Sequence, residues 1–237
     1  MIKKTALYIL ALPLLFAACK SKCIEDSGIH SSRESVVKPF DEIKLEGPIK
    51  LILRQDSSFK VEVGADSNII SLVKADVSGH ELRLKLDGSK YCGKDSVIIT
   101  AGIGDLKKLN VNGSGKVYTS SLINVNDLEM KISGAAKLTL DLNAGKLTTN
   151  SEGSASINLT GQAGIHQLKS EGVVELTAFG FVTGVYDLNL TGVAKLKINV
   201  LNDLKVKSSG SAEIYYKGNP KNVDQKKSGT AKLEKVI

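Results

Sequence analysis

From Phe40 onward, apolar and polar residues alternate along most of the chain. Ile43 and Leu45, then Ile49, Leu51 and Leu53, are separated by mostly charged residues. "FKVEV" and "ELRLKL" continue the alternation, and "VIITAGIG" leads into a strand ending near Val111. A period of two sends successive side chains to opposite faces, so these stretches are half-buried strands. Only "ADSNIISLVKAD" departs from it; there Asp66 and Ser67 can cap a short helix or turn.

Beyond Val111 one short phrase recurs: "ISGAAKLTLDL", "EGSASINLT", "EGVVELTAF", "TGVAKLKIN", "SGSAEIYYK" and "SGTAKLEKV". Aligning it places glycines at Gly113, Gly134, Gly153, Gly172, Gly192, Gly210 and Gly229, in steps of 18 to 21 residues. A second column, Leu109, Leu128, Leu147, Leu168, Leu188, Leu204 and Val223, stands four or six residues before each glycine. Even gaps keep that column on the inward side of a strand. Two residues after the glycines come Gly115, Ala136, Ala155, Val174, Ala194, Ala212 and Ala231; two further on, all are Val, Leu or Ile. Small residues at a tight corner and branched aliphatics on a flat wall make a narrow core. Periods near 20 residues mark solenoids. No unit holds an amphipathic helical stretch, and the asparagine corner of leucine-rich repeats is missing. Each unit therefore reads as one coil of a β-solenoid. The expected fold is all-β, with regular repeats over 106–237 and a less regular first part, coils or cap, over 39–105.

The N-terminus has another character. "MIKK" is a positive start, followed by the apolar "ALYILALPLLFAA", too short and too early for an ordinary spanning helix. Ala17 and Ala18 immediately precede Cys19, which resembles the lipobox of bacterial lipoproteins, although Phe16 stands where leucine is usual. Residues 1–18 are thus a lipoprotein signal peptide and Cys19 the lipidated residue, or the leader is a plain secretory signal with an incidental cysteine. Residues 19–38 are polar and Ser-rich and read as a flexible tether. Cys23 and Cys92 would meet an oxidising compartment after export; they either pair or remain two thiols.

Composition narrows the function classes. The chain has 237 residues, 5% aromatic, with no Trp, so its core is built from small aliphatic layers. Formal charge is +7, falling to +5 (30 basic against 25 acidic) once Lys3 and Lys4 leave with the signal peptide. The lysines are interspersed rather than clustered in sequence, which gives no support to nucleic-acid binding.

"EGPIKLILRQDSSFKVEVGADSNIISLV", followed by serial "SGSA"-type turns, resembles the head GIN domain, or auto-transporter adhesin-like, proteins of bacterial envelopes. The resemblance spans about residues 39–237. It implies a right-handed parallel β-helix, a handedness that crossover sterics also favour. It implies no catalytic residue.

Candidate chemistry is sparse. His30, His80 and His166 are scattered without metal-ligand spacing and read as surface or turn residues. "NGSG" fits a repeat corner, and "GIGDLK" lacks the third glycine of a dinucleotide fingerprint. No catalytic, cofactor or metal site is expected. The outward column three after each glycine reads Lys116, Lys137, Ser156, Glu175, Lys195, Glu213 and Lys232; from Glu175 on it alternates in sign, as neighbouring rungs that neutralise each other would. The next outward column carries Tyr118, Thr139, Asn158, Thr177, Lys197, Tyr215 and Glu234, suited to a β surface or to hydrogen-bonding a glycan. Phe179, Phe181 and Tyr186 cluster in a ring-poor chain, as a ligand contact or as core filler. The reading is a non-catalytic, membrane-anchored envelope protein that displays a surface to a glycan or another envelope protein. The alternatives are a polysaccharide-processing enzyme on the same fold and a structural or signalling envelope component without an extracellular ligand.

Overall fold

A computed structural model describes residues 23–87, 91–93 and 97–237. Residues 1–18, expected to be a signal peptide, and Cys19 lie outside these residues. The fold is all-β, a 13-stranded mixed sheet in which most pairings are parallel. Its strands are β1 (His30–Val36), β2 (Glu42–Glu46), β3 (Ile49–Gln55), β4 (Lys60–Asp66), β5 (Lys74–Ser78), β6 (Glu81–Lys85), β7 (Val97–Ile103), β8 (Lys108–Gly113), β9 (Lys116–Thr119), β10 (Ile123–Ser208), β11 (Ser211–Lys217), β12 (Asn222–Lys227) and β13 (Thr230–Lys235). The capped stretch after Asp66 is a single 3₁₀ turn, Ile70–Leu72.

From β10 the sheet runs out in two arms, β9, β3, β7, β4, β1 and β8, β2, β6, β5. At its C-terminal end β11 and β12 pair with β10, and β13 with β11, all in parallel. Each repeat lies in register on the one before: Ala194 opposite Ala212, and Ala212 opposite Ala231. Burial alternates along the repeats up to Ile214, whereas β12 is exposed throughout, and the inward residues form one largely aliphatic core from Phe40 to Ile214.

The recurring glycines are stacked. A Cβ on Gly134 would lie 2.9 Å from the carbonyl oxygen of Gly113, and one on Gly153 would lie 2.6 Å from that of Gly134. The same holds upward through Gly172, Gly192, Gly210 and Gly229. At Gly153 the backbone also has φ +107°, so a side chain there is excluded both by its neighbour and by its own backbone. The stack has a lower member that the 20-residue spacing does not reveal. The Gly47 N–H donates to Asn112 O, which puts Gly47 beside Gly113.

That contact reflects an interleaved order at the N-terminal end. β2 pairs with β8 on one side and β6 on the other; β3 lies likewise between β9 and β7. β2 and β3 therefore sit between β6 and β7 on one side and β8 and β9 on the other, and the stack is not laid down in chain order. β4 and β5 then run antiparallel to β7 and β6 at this end.

Two sequence expectations are corrected here. The leucine column is not one column: Leu109 lies opposite Met130, whereas Leu204 lies opposite Val223. With the glycines aligned, the position six before each reads Leu128, Leu147, His166, Tyr186, Leu204 and Val223. Leu168 and Leu188 belong to the column two residues on. Both columns point inward, so a shift of two preserved the parity and hid the difference. Nor are residues 19–38 wholly a flexible tether. β1 pairs along its length with β4, and Cys23 is disulfide-bonded to Cys92 with their Cα atoms 5.7 Å apart. The charges and hydroxyls of β1 disguise it in sequence because every one of its residues is exposed.

Candidate binding surface

The outward columns follow directly from the register. In one column Lys50 lies opposite Lys116 and Lys116 opposite Lys137. Carrying the glycine stack upward continues it through Ser156 and Glu175 to Lys195, which lies opposite Glu213 and then Lys232. Below Lys50 the column meets Ile98 of β7. The columns on either side hold Pro48, Ser114 and Ala135, and Ile52, Tyr118 and Thr139, at the three lysine rungs. None of these is acidic. Lys116 and Lys137 are exposed and Lys50 half-buried, with its ammonium 5.3 Å from the centroid of the Tyr118 ring. None of the three takes part in an ion pair among the described residues.

Lysines on the face that continues from β10 into β8 and β2 are handled differently. Lys44, Lys131 and Lys169 each pair with a glutamate two residues away on the same strand, Glu46, Glu129 and Glu171, at 3.2, 3.1 and 2.8 Å. Lys44 and Lys131 are also held apart by Asn110 between them. Lys207 lies opposite Lys226 near the C-terminal edge, a like-charged pair with no adjoining ring. In the alternating part of the first column the pairing differs from the expected ladder. Lys232 pairs with Glu234 on its own strand rather than with Glu213, and this contact holds its ammonium above the usual lysine range.

Rings divide between surface and core. Tyr118 and Tyr215 are half-buried on the outer face, with Lys232 5.2 Å from the Tyr215 centroid. Phe179 is half-buried beneath Lys217, 5.0 Å away. Phe181 and Tyr186 are fully buried and offer no ligand contact. They pack on His166, which is itself buried rather than at a surface or turn; its ring is 6.1 Å from Phe181 and 5.1 Å from Tyr186. Thr149 Oγ1 lies 3.1 Å from its Nε2, and burial pushes the imidazole pKa down to about 3. The same burial pushes the Tyr186 phenol up. This cluster occupies column positions that leucines fill in other repeats, so it is core packing with polar atoms. The sequence signal that could have found it was the break in the glycine-to-leucine gap at these two repeats.

The N-terminal end carries a fastening. Asp66 is buried, accepts the Gly28 N–H at 2.6 Å, and has His30 Nδ1 2.7 Å from its other oxygen. The Tyr91 hydroxyl donates to Asp26 at 2.8 Å, and Cys92 N–H to Ile24 O at 3.1 Å. A cleft lined by Asp26, His30, Asp66, Tyr91 and Ile98 lies between these contacts. At the opposite end of β4, the Ser58 hydroxyl, its N–H and Arg54 hold the Asp56 carboxyl down at about 2, which fixes a tight turn. Among the described residues no three His, Cys, Asp or Glu side chains are placed to share a metal ion. No helix of the described residues is long and apolar enough to cross a membrane.

Solved structures share this architecture. An adhesin from Bacteroides fragilis, itself described as putative, superposes with a TM-score of 0.81 at 22% identity, over 90% of this chain and 100% of that one. A putative lipid binding protein from Parabacteroides distasonis gives 0.66 at 20%, over 91% and 100%. A putative adhesin from Parabacteroides merdae gives 0.63 at 21%, over 92% and 100%. These likenesses show the fold alone. Among curated proteins none is similar in sequence. The family described as putative auto-transporter adhesin, head GIN domain, matches residues 39–220, most of the repeat stack, and the chain belongs to it.

Proposed function

We propose that this chain is a non-catalytic lipoprotein of the bacterial envelope, anchored through Cys19. Residues 106–237 wind as a right-handed parallel β-helix, capped by the interleaved strands of 39–105, and its outer columns form an adhesive surface for a glycan or another envelope protein. The observation that carries the proposal is the register itself. Repeats stacked on a shared glycine corner present like residues in lines along the rod, and lines suit many weak contacts made together. An active site instead needs unlike groups gathered at one point. Membership in an adhesin-like family supports the reading, and the Cys23–Cys92 disulfide suits an oxidising compartment outside the cytoplasm. Parallel crossovers are right-handed in nearly all proteins, which supports the hand.

The test compares adhesion of cells with and without the chain to glycan-coated and cell-coated surfaces, with incorporation of labelled fatty acid followed in the same strains. The chain should raise adhesion and take up label, and Cys19→Ala should lose the label. Label retained in that variant would refute the anchor. Turnover of a polysaccharide, abolished by substituting one outward carboxylate, would overturn the non-catalytic reading.

A further inference from the structure

We propose that Lys50, Lys116 and Lys137, with Tyr118 beside them, form a binding site for an extended acidic polysaccharide carrying a carboxylate on each successive sugar. The proposal rests on the reading of this face as an adhesive surface and names its ligand class. Like charges directly opposite on neighbouring strands destabilise a sheet. Three in succession, with no acidic side chain in the flanking columns, are therefore not explained by stability. Like-charged pairs occur elsewhere in the sheet, Lys44 opposite Arg83, Lys74 opposite Lys85 and Lys207 opposite Lys226, but only in twos, and Lys44, Lys131 and Lys169 each have a glutamate two residues away. At the corresponding places beside Lys116 and Lys137 stand Ser114 and Tyr118, and Ala135 and Thr139.

The shape of the patch selects the ligand. Neighbouring parallel strands are about 4.8 Å apart, so the three lysines stand in a short line with one positive charge per rung. A polyuronate carries one carboxylate on every sugar of an extended chain, and the long, flexible lysine side chains can reach successive carboxylates that face different sides of it. The phosphates of a nucleic acid strand are more widely spaced. A membrane surface would meet a plane of charge, but the patch is one residue wide, flanked by Pro48, Ser114 and Ala135, and its column runs on to Glu175 and Glu213. Tyr118 supplies a phenolic hydroxyl and a ring edge at the middle rung, suited to a sugar hydroxyl. Ile98 below and Ser156, then Glu175, above bound the line. A three-rung site binds weakly, and many anchored copies on one polymer supply the avidity.

The chain from Lys20 on, which keeps the whole sheet and the Cys23–Cys92 disulfide but lacks the acylated cysteine, is passed over immobilised polygalacturonate, dextran, single-stranded DNA and phosphatidylglycerol vesicles at rising NaCl. Retention on polygalacturonate alone, falling with salt, is expected. Single changes Lys50→Ser, Lys116→Ser or Lys137→Ser should weaken it about threefold each and the triple change about thirtyfold. Lys195→Ser and Lys232→Ser should leave it unchanged. The triple variant relieves like-charge contact, so its melting temperature should not fall, which separates lost binding from lost fold. Equal retention on dextran, tighter retention on DNA or vesicles, or full retention of the triple variant overturns the site. If polygalacturonate is not retained while cells bearing the chain still adhere, this ligand class fails and the adhesive reading stands.

Discussion

One outward column runs the length of the stack, and its two halves obey different rules. At the N-terminal end Lys50, Lys116 and Lys137 repeat one charge on three rungs. At the C-terminal end Glu175, Lys195, Glu213 and Lys232 alternate. The halves also differ inside. The core beneath the lysines is aliphatic, whereas the repeats around Glu175 enclose His166, Phe181, Tyr186 and the buried Thr183. Alternating charge outside is what a sheet adopts when only its own stability is at stake. The lysine half departs from that pattern where nothing in the fold requires it, which is why it is the better candidate for contact with something else.

The largest effect expected comes from the clamp at the lysine end. Cys23 and Cys92 close a loop of 69 residues, and loop entropy puts the loss on removing the bond at about 4 kcal/mol. In a Cys23→Ser/Cys92→Ser variant, hydrogen exchange should quicken in β1, β4 and β7 and change little beyond Gly172. Uniform loss of protection would show that the halves are one cooperative unit.

Gly153 lies at the junction of the halves. Gly153→Ala should cost about 3 kcal/mol or more, since a Cβ there meets the Gly134 backbone at a φ of +107°. Denaturant unfolding that registers under 1 kcal/mol would break the register on which both columns depend.

Between pH 7 and 5, above the range in which Asp41 and Asp56 titrate, acid should act on the half that holds His166. His166 is neutral in the folded state down to about pH 3 but titrates near 6.5 when unfolded. Its folded pKa is depressed, so the stability it permits is complete above pH 6.5 and is lost as pH falls toward 3. Between pH 7 and 5 the loss is about 2 kcal/mol. His166→Leu, matching Leu147 and Leu204, should remove most of that slope when melting is followed against pH. An unchanged slope would place the acid-sensitive group elsewhere.

Reciprocal charge changes have the smallest effect. Glu213→Lys gives the second half three lysines in a row and should cost ~0.2–1 kcal/mol at low salt. Lys116→Glu gives the first half alternation and should stabilise by a similar amount. Both effects should fade at high salt. The same sign for both would contradict a like-charge penalty in the lysine line.

Much of this fold could be read along the chain because each repeat is a local unit that meets its neighbour about 20 residues on. The glycine positions, the small corner and the aliphatic wall all respect a period of two, and the structure stacks them accordingly. Misreadings arose where parity was kept but identity was not. Leu109 and Leu128 share a face without sharing a column, and that slip concealed His166 and Tyr186 as core residues. β1 escaped because both its faces are wet, so no hydrophobic alternation marks it.

The sequence by itself determined an all-β chain of repeats with a corner of glycines, since small residues and alternating aliphatics at a fixed period admit few other packings. It also carried the motif that makes the lysine line: "EGPIKL" has the glycine, the lysine three residues on and the aliphatic beyond, as in the later repeats. What only the tertiary structure decided is that this outlying copy, 66 residues before Gly113 (113 − 47), lies directly on it. The chain passes through β4 to β7, places β6 and β7 on the far side of β2 and β3, and returns to lay β8 and β9 on the near side. Adjacency across such an excursion depends on which strand edges remain open when each segment pairs, and no local pattern records it. Lys50 therefore joins Lys116 and Lys137 only in the folded molecule.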